Sequence, residues 1–399
     1  MNLPPLTASI TEKLTLHLER VHQKIDLSLQ QEADETLNIS TLSGIISQAI
    51  FYAHLHTPEN NQKENIRAAI AKASKHIEHY AVPTEFVDGL AGFGWGVSHI
   101  AQMGLLDEDE NAFLKELDDF LFQHAQQSLQ MRNHDFFYGA TGYGKYFLQR
   151  RNARPEVDQY LQEIASGLQS IAQSHQGLLL WQTEDDLADN EIDLSLSHGM
   201  ASMVVFFSRL LENGITTDFS EEVLRNSCDF LIAQKQNSEE GARLPDYVKG
   251  PESVIAPLRW CHGDLGIAYA LCCADRALGT QAYAPTAKEV VDAVGALRDI
   301  KEQHLYSATL CHGTLGVGHF FTKFIDFFGP DPQLQAAIDF WYAESDTMMS
   351  SATGYCYFDD DQEDREKTGI IYGIEGIGLA LLSALGRSGS SWDSCMHLS

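Results

Sequence analysis

Nowhere in the 399 residues does an apolar run approach the ~18 residues that a membrane-spanning helix needs, so no membrane span is expected. The opening stretch, MNLPPLTASITEKLTLHLERV, lacks the basic start and apolar core of a secretory signal, and the chain is expected in the cytoplasm. Basic residues are scarce: 27 Lys and Arg face 56 Asp and Glu, a formal net charge of −29. The summed field of such a chain repels nucleic acid and anionic membranes, and it accommodates a neutral or basic partner more easily. Cysteine is present without a framework. The seven, at 228, 261, 272, 273, 311, 356 and 395, are odd in number and not closely spaced, which favours reduced thiols over a disulfide scaffold.

What is present is an ordinary globular composition, 44% hydrophobic and 21% charged, able to bury a large core. Length alone allows two average domains or one large one, and the repeats below favour a single domain over 1–399. Acid concentrates in three runs, residues 107–119, 184–193 and 359–366, each readable as a solvated face or as a docking surface for a basic peptide segment.

A short Gly-x-x-Gly element recurs along the chain: GLAG from Gly89, GATG from Gly139, GDLG from Gly263, GTLG from Gly313 and GIEG from Gly373. Two degenerate copies, TLSG ending at Gly44 and GMAS from Gly199, bring the set to seven, at intervals of 48 to 64 residues between second-glycine positions. Such intervals fit one helical hairpin per repeat. After each copy the chain is apolar on nearly every face, as in GIAYALCCADRAL and GIGLALLSAL, the pattern of a buried helix. Before each copy it is amphipathic, at 10–25, 65–80, 111–129, 157–174, 221–234, 286–300 and 333–344, the pattern of an outer helix. Ser220 reads as a cap ahead of Glu221 and Glu222, and Asp331 as a cap ahead of Pro332. If seven outer helices alternate with seven inner ones and the array closes, the turns converge on an axial site. The glycines also have a simpler reading, as turn and packing residues.

Three turns carry residues that packing does not require: SLSHG at His198, RWCHG at Cys261, and LCHG at Cys311 and His312. Cys261 and Cys311 each stand two residues before the first glycine of their turn, and His312 stands immediately before its own. Two thiolates and an imidazole suit zinc, with the fourth tetrahedral position left for water or substrate as a catalytic site requires. A fourth protein ligand, from His262, Cys272 or Cys273, would instead close the site as a structural one.

Through SLSHG, WCHGDLG, LCHGTLG and YGIEGIGLALL, the sequence resembles the lanthionine synthetase C-like proteins over essentially its whole length. The resemblance implies an all-α fold, an α/α toroid of seven inner and seven outer helices with a single zinc. It implies Cys261, Cys311 and His312 as zinc ligands, His198 as the acid/base histidine, and Asp135 as an active-site aspartate. Two positions depart from the family pattern: His262 stands where tyrosine is common, and Pro257 where an arginine precedes the tryptophan. Arg259, next to Trp260, is the candidate replacement, and His262 is kept with it as a candidate catalytic group.

The chemistry so implied is addition of a peptide cysteine, activated as thiolate by zinc, to the β-carbon of dehydroalanine or dehydrobutyrine. His198 would protonate the α-carbon, and Asp135 would orient an imidazole, polarise the acceptor amide or simply cap a turn. The substrate would be a dehydrated precursor peptide, and with no dehydratase segment recognisable in the sequence a separate dehydratase would supply it. Addition of glutathione to dehydroamino acids, a zinc-stabilised peptide-binding module without turnover, and a zinc-free glycosidase using paired carboxylates are the competing expectations.

Overall fold

The computed structural model describes residues 6–32, 35–107, 113–175, 177–183, 186, 191–215, 217, 220–238, 241–249, 252–351, 353–356 and 366–399. Most of the acidic runs at 184–193 and 359–366, and the middle of 107–119, lie outside these residues.

Fourteen α-helices are described, and they alternate in character. The amphipathic set is α1 (Ala8–Gln30), α3 (Lys63–His79), α5 (Leu114–Gln130), α7 (Val157–Ile171), α9 (Ser220–Ala233), α11 (Ala284–Gly295) and α13 (Pro332–Met349). The apolar set is α2 (Ile46–Leu55), α4 (Leu90–Gln102), α6 (Ala140–Arg150), α8 (Met200–Glu212), α10 (Asp264–Leu278), α12 (Thr314–Phe328) and α14 (Ile374–Ala384). In α7 the buried residues Val157, Leu161, Ile164, Ala165, Leu168 and Ile171 form one stripe at helical spacing. In α8 every residue from Met200 to Leu210 is buried, which only an unbroken apolar sequence permits. No described helix is long and apolar enough to cross a membrane.

Five of the glycine turns are held by one recurring brace. An amide at the start of the apolar helix donates to the carbonyl seven residues earlier: Ala91 to Thr84, Thr141 to His134, Ala201 to Leu194, Thr314 to Ser307 and Ile374 to Lys367, at 3.1 to 3.4 Å. The loop that results is tight enough that a β-carbon on Gly316 would lie 1.7 Å from the Leu310 carbonyl oxygen. The degenerate GMAS turn makes the same brace, so the backbone geometry outlasts the loss of its second glycine.

By contacts the chain divides into two compact units. One comprises residues 1–117, 305–323 and 335–399. Within it α2 packs against α3, α4 and α14, and α1 packs against α14, so the first amphipathic helix rests on the last apolar one. Lys13 Nζ donates to Asp346 Oδ2 at 2.7 Å beside these elements. The closing 3-10 turn, Ser391–Met396, is anchored by the buried Asp393, which accepts from His319 Nε2 at 2.7 Å and pairs with Lys323.

The second unit comprises residues 118–304 and 324–334. Here α6 packs on α7 and α8, α8 on α9 and α10, and α10 on α11. Among the described residues, seven short strands accompany the helices. β1 (Gln173–His175) and β2 (Leu178–Leu180) form one hairpin, and β4 (Gln236–Ser238) and β5 (Gly241–Arg243) another. β3 (Glu191–Asp193), β6 (Tyr247–Lys249) and β7 (Glu252–Val254) form an antiparallel sheet in the order β3-β6-β7, with Ile192 opposite Val248.

Two local expectations need correction. The amphipathic helix expected over 157–174 stops at Ile171, because Gly177 at φ 86° turns the chain and pairs 173–175 with 178–180. Ser220 does not cap α9 from outside: it is the first helical residue, and its hydroxyl accepts from the Thr217 amide at 2.9 Å. Asp331 caps α13 as expected, accepting from Gln333 and Leu334 amides at 2.7 and 3.3 Å.

Candidate active site

Three turns of the second unit bring the chemistry-bearing residues together. Asp135 lies in the turn before α6, where Asn133 Oδ1 accepts its amide at 3.1 Å. One carboxylate oxygen, Oδ1, accepts the amides of Phe137 and Tyr138 at 2.6 and 2.8 Å. The other, Oδ2, is 2.6 Å from His198 Nδ1, in the turn before α8. A carboxylate only accepts, so Nδ1 of His198 carries the hydrogen and Nε2 is the position that exchanges a proton. The His198 amide donates to Ser195 Oγ at 3.1 Å, and the Ser195 amide donates to Asp193 Oδ1 at 2.7 Å, so imidazole and backbone are both fixed. Phe137 meets the His198 ring edge-on at 4.8 Å, Tyr138 stacks on it at 6.5 Å, and Phe137 also stacks on Trp260 at 6.1 Å. The imidazole therefore works against an aromatic wall with about a third of its side chain exposed.

Backbone bonds stitch this turn to the one that carries Cys261. The Cys261 carbonyl accepts the amides of Leu196 and Ser197 at 3.0 and 3.2 Å and the Ser197 hydroxyl at 3.2 Å. Cys261 is buried, and the next residue, His262, has its Nδ1 2.7 Å from Asp246 Oδ1. Its ring centroid is 6.1 Å from that of His198, so two imidazole–carboxylate pairs stand side by side. Burial works against charge on His262, but the hydrogen bond to Asp246 and the carboxylates of Asp246 and Asp193 outweigh it and hold its pKa above the ordinary imidazole value. Burial in turn raises Asp193, against the opposing charge of His262 and the bonds from Ser195.

The loop that presents Asp246 is itself pinned. Asp264, in the first turn of α10, accepts from Arg243 Nε at 2.8 Å and from the Leu244 amide at 2.6 Å, and Leu194 donates its amide to the Asp246 carbonyl at 3.0 Å. Gly263 follows His262 at φ 79°, ψ −154°, a conformation that side-chain-bearing residues avoid, and here glycine is required. Arg259 is half-buried between Leu258, whose amide donates to Gln303 Oε1 at 3.0 Å, and the fully buried Trp260. It belongs to neither imidazole–carboxylate pair.

In the first unit, Cys311 and His312 precede α12. The Cys311 amide donates to the Ile371 carbonyl at 2.9 Å, and the Ile371 amide donates to the Leu42 carbonyl at 3.0 Å, so the sixth, seventh and first turns are linked in series. Cys311 is buried, while His312 is half-buried and meets Tyr372 edge-on at 5.6 Å. All seven cysteines are free thiols. Cys272 lies eight residues into α10 from Asp264, about 12 Å along the axis, and burial pushes its thiol and that of Cys273 up. Neither belongs with the turn residues.

Asp246 escaped sequence reasoning. It sits 16 residues before His262 in a loop with no repeat register, and its only signal is an acid in an otherwise apolar and turn-rich run, LPDYVKG. Phe137 and Tyr138 were likewise unmarked, although they directly precede Gly139.

Paired helices joined through glycine turns that carry thiol, imidazole and carboxylate groups describe a helical-hairpin scaffold. Residues 35–397 match the family model for lanthionine synthetase C-like proteins, and the chain belongs to that family. Among solved structures it is similar to nisin cyclase, with a TM-score of 0.76 at 15% identity, covering 96% of this chain and 97% of that one. The fold is thus the all-α α/α toroid that the resemblance implied. No curated protein sequence matches the chain.

Proposed function

We propose that this protein is a zinc-dependent lanthionine cyclase that adds cysteine thiols of a dehydrated peptide to dehydroalanine or dehydrobutyrine. The observation that carries the reading is the His198–Asp135 pair, held at 2.6 Å in a turn stitched by backbone bonds to the turn of Cys261. The proposed zinc ligands are Cys261, in the turn before α10, and Cys311 and His312, in the turn before α12. Two thiolates and one imidazole are a donor set that suits zinc and leaves a coordination position for a substrate sulfur. Zinc, when bound there, lowers the pKa of the substrate thiol so that it reacts as thiolate at neutral pH.

The residues of this chain supply the remainder. As the carbon–sulfur bond forms at the β-carbon, the electron pair of the double bond moves onto the α-carbon and its carbonyl oxygen, giving an enolate. His198 Nε2 donates the proton that completes the new α-carbon–hydrogen bond, and the thiol's own proton is lost to solvent. Asp135 keeps Nδ1 protonated and steadies the imidazolium before transfer. Arg259 and His262, on either side of Trp260 and Cys261, are proposed as donors to the enolate oxygen. The peptide would arrive from a separate dehydratase in the cytoplasm.

Protein purified without chelator is expected to carry one zinc per chain by elemental analysis. With a dehydrated peptide bearing free thiols, mass spectrometry after thiol alkylation should show alkylatable cysteines disappearing with no change in peptide mass. Cys311→Ala should lose both zinc and ring closure while its far-ultraviolet circular dichroism stays that of the wild type. Wild-type protein without zinc, or ring closure that survives Cys311→Ala, overturns the reading.

A further inference from the structure

His198 and His262 stand in consecutive glycine turns of the second unit, each immediately before the first position of its turn, Gly199 and Gly263. In both, Nδ1 meets a carboxylate: Asp135 Oδ2 at 2.6 Å for His198, and Asp246 Oδ1 at 2.7 Å for His262. The two ring centroids are 6.1 Å apart. Asp135 has a task in the reaction proposed above. Asp246 has none there, although it holds its imidazole in the same way.

The two carboxylates arrive by different routes. Asp135 comes from the neighbouring glycine turn, whereas Asp246 comes from the loop between β5 and β6, inside the longest interval between turns. That loop is held on both flanks. On one side β6 pairs with β3 so that Tyr247 stands opposite Asp193, and the Leu194 amide donates to the Asp246 carbonyl at 3.0 Å. The strand that leads into the His198 turn thus fixes the backbone of Asp246. On the other side Arg243 donates from Nε to Asp264 Oδ2 at 2.8 Å and from Nη2 to the Ala256 carbonyl at 3.2 Å. Asp264 opens the helix that follows His262, so imidazole and carboxylate are mounted on one braced frame. Side-chain exposure is 27% for His262 and 16% for Asp246, which leaves water a weak competitor for their bond. Asp193 also bears on His262 through its charge, but its Oδ1 accepts the Ser195 amide at 2.7 Å.

We propose that Asp246 is a positioning residue for the reaction: it holds a hydrogen on Nδ1 of His262 and fixes the plane of the ring, so that Nε2 is the nitrogen offered to substrate beside His198. This rests on the cyclase function proposed above. A neutral imidazole can carry its hydrogen on either nitrogen, and the partner of one nitrogen decides which. A carboxylate only accepts, so at 2.7 Å it selects the Nδ1–H form. An amide in its place offers an oxygen or an NH₂ group and selects neither form, which makes asparagine the discriminating substitution.

Nitrogen-15 spectra of protein labelled at histidine read the tautomer directly and need no turnover. The His262 signals are those that disappear in His262→Gln. At a pH where the ring is neutral, the wild type should carry the hydrogen on Nδ1, and Asp246→Asn should shift it toward Nε2. With a dehydrated peptide bearing free thiols, Asp246→Asn should lower kcat on the order of 10–100-fold, the usual loss when the outer partner of a functional imidazole is removed, with KM unchanged. In protein already carrying His262→Gln, Asp246→Asn should lower kcat no further, because a residue that acts through an imidazole has nothing to act through once the ring is gone. An Asp246→Asn variant that keeps the wild-type tautomer or the wild-type kcat overturns the proposal, as does an equal loss in the presence and absence of the His262 ring. A wild-type His262 with its hydrogen on Nε2 overturns it without any variant having to fold. A wild type that closes no rings, while Asp246→Asn still moves the hydrogen, overturns the cyclase reading and leaves the orientation of His262 by Asp246 standing.

Discussion

Asp135 divides its two oxygens between a turn and an imidazole, Oδ1 holding the amides of Phe137 and Tyr138 and Oδ2 meeting His198 at 2.6 Å. Capping and orientation, which the sequence left as alternatives, are both present in one side chain. His198→Asn is expected to keep zinc and fold but to slow ring closure by about 10²–10⁴, the usual contribution of a positioned acid/base group. Zinc content and the rate of loss of alkylatable thiols, measured on one preparation, decide this. Ring closure at near wild-type rate with zinc retained would make His198 structural. At this scale the candidate residues were legible wherever one stood at a fixed offset from a glycine, as His198, Cys261, Cys311 and His312 do. Asp246 was not legible, because its pairing with His262 depends on how a loop is folded back by Arg243, Asp264 and Leu194, and no local periodicity records that.

Glycine turns, rather than helices, are where single substitutions should register most clearly. Gly263 sits at φ 79°, ψ −154°, a region nearly confined to glycine, with the Ala256 side chain 3.3 Å from where a β-carbon would go. Gly279, after α10, sits at φ 63°, ψ 34° with open space around it, a left-handed cap that asparagine also adopts. Gly263→Ala should therefore cost about 1–3 kcal/mol, and Gly279→Asn under about 1 kcal/mol. Urea denaturation curves give both values, and equal losses would remove the argument that the Cys261–His262 turn depends on glycine. The alternation of apolar and amphipathic helices could be read directly, since a helix apolar on every face has few other places to go. The seven short strands could not. Three-residue strands leave no room for an alternating pattern, and the hairpin that shortens α7 has Gly177 at φ 86° in its turn.

Two buried ionisable groups of the first unit set opposing slopes on the stability of the whole molecule. Burial lowers His54 to about 4, partly offset by the charge of Asp393. Between pH 4 and its ordinary 6.5 the unfolded chain binds more protons at this residue, so its contribution is complete above 6.5 and is lost as pH falls through that window. Burial raises Glu375 to about 7, against the bonds from Gly369 and Gln48. Between its ordinary 4.5 and 7 the folded chain binds more protons there, so its contribution is complete below 4.5 and is lost as pH rises. The two nearly cancel where the windows overlap. Glu375→Gln should uncover the His54 slope: stability rising with pH from about 4.5 to 6.5, by at most about 1.4 kcal/mol per unit. Denaturant midpoints across that range read it, and an unchanged profile in the variant would sink the assignment. The contact of α1 with α14 bears on the birth of the chain as well as on its finished state. Lys13 and its partner Asp346, in α13, are 333 residues apart, so at a translation rate of ~5–20 residues per second α1 waits roughly 20–70 s for α13, and longer for α14. Residues 118–304 of the second unit emerge as one uninterrupted stretch during that wait. The N-terminal helix is thus the segment most exposed to chaperones and proteases on the ribosome, and a stalled nascent chain ending before α14 should be cleaved there first.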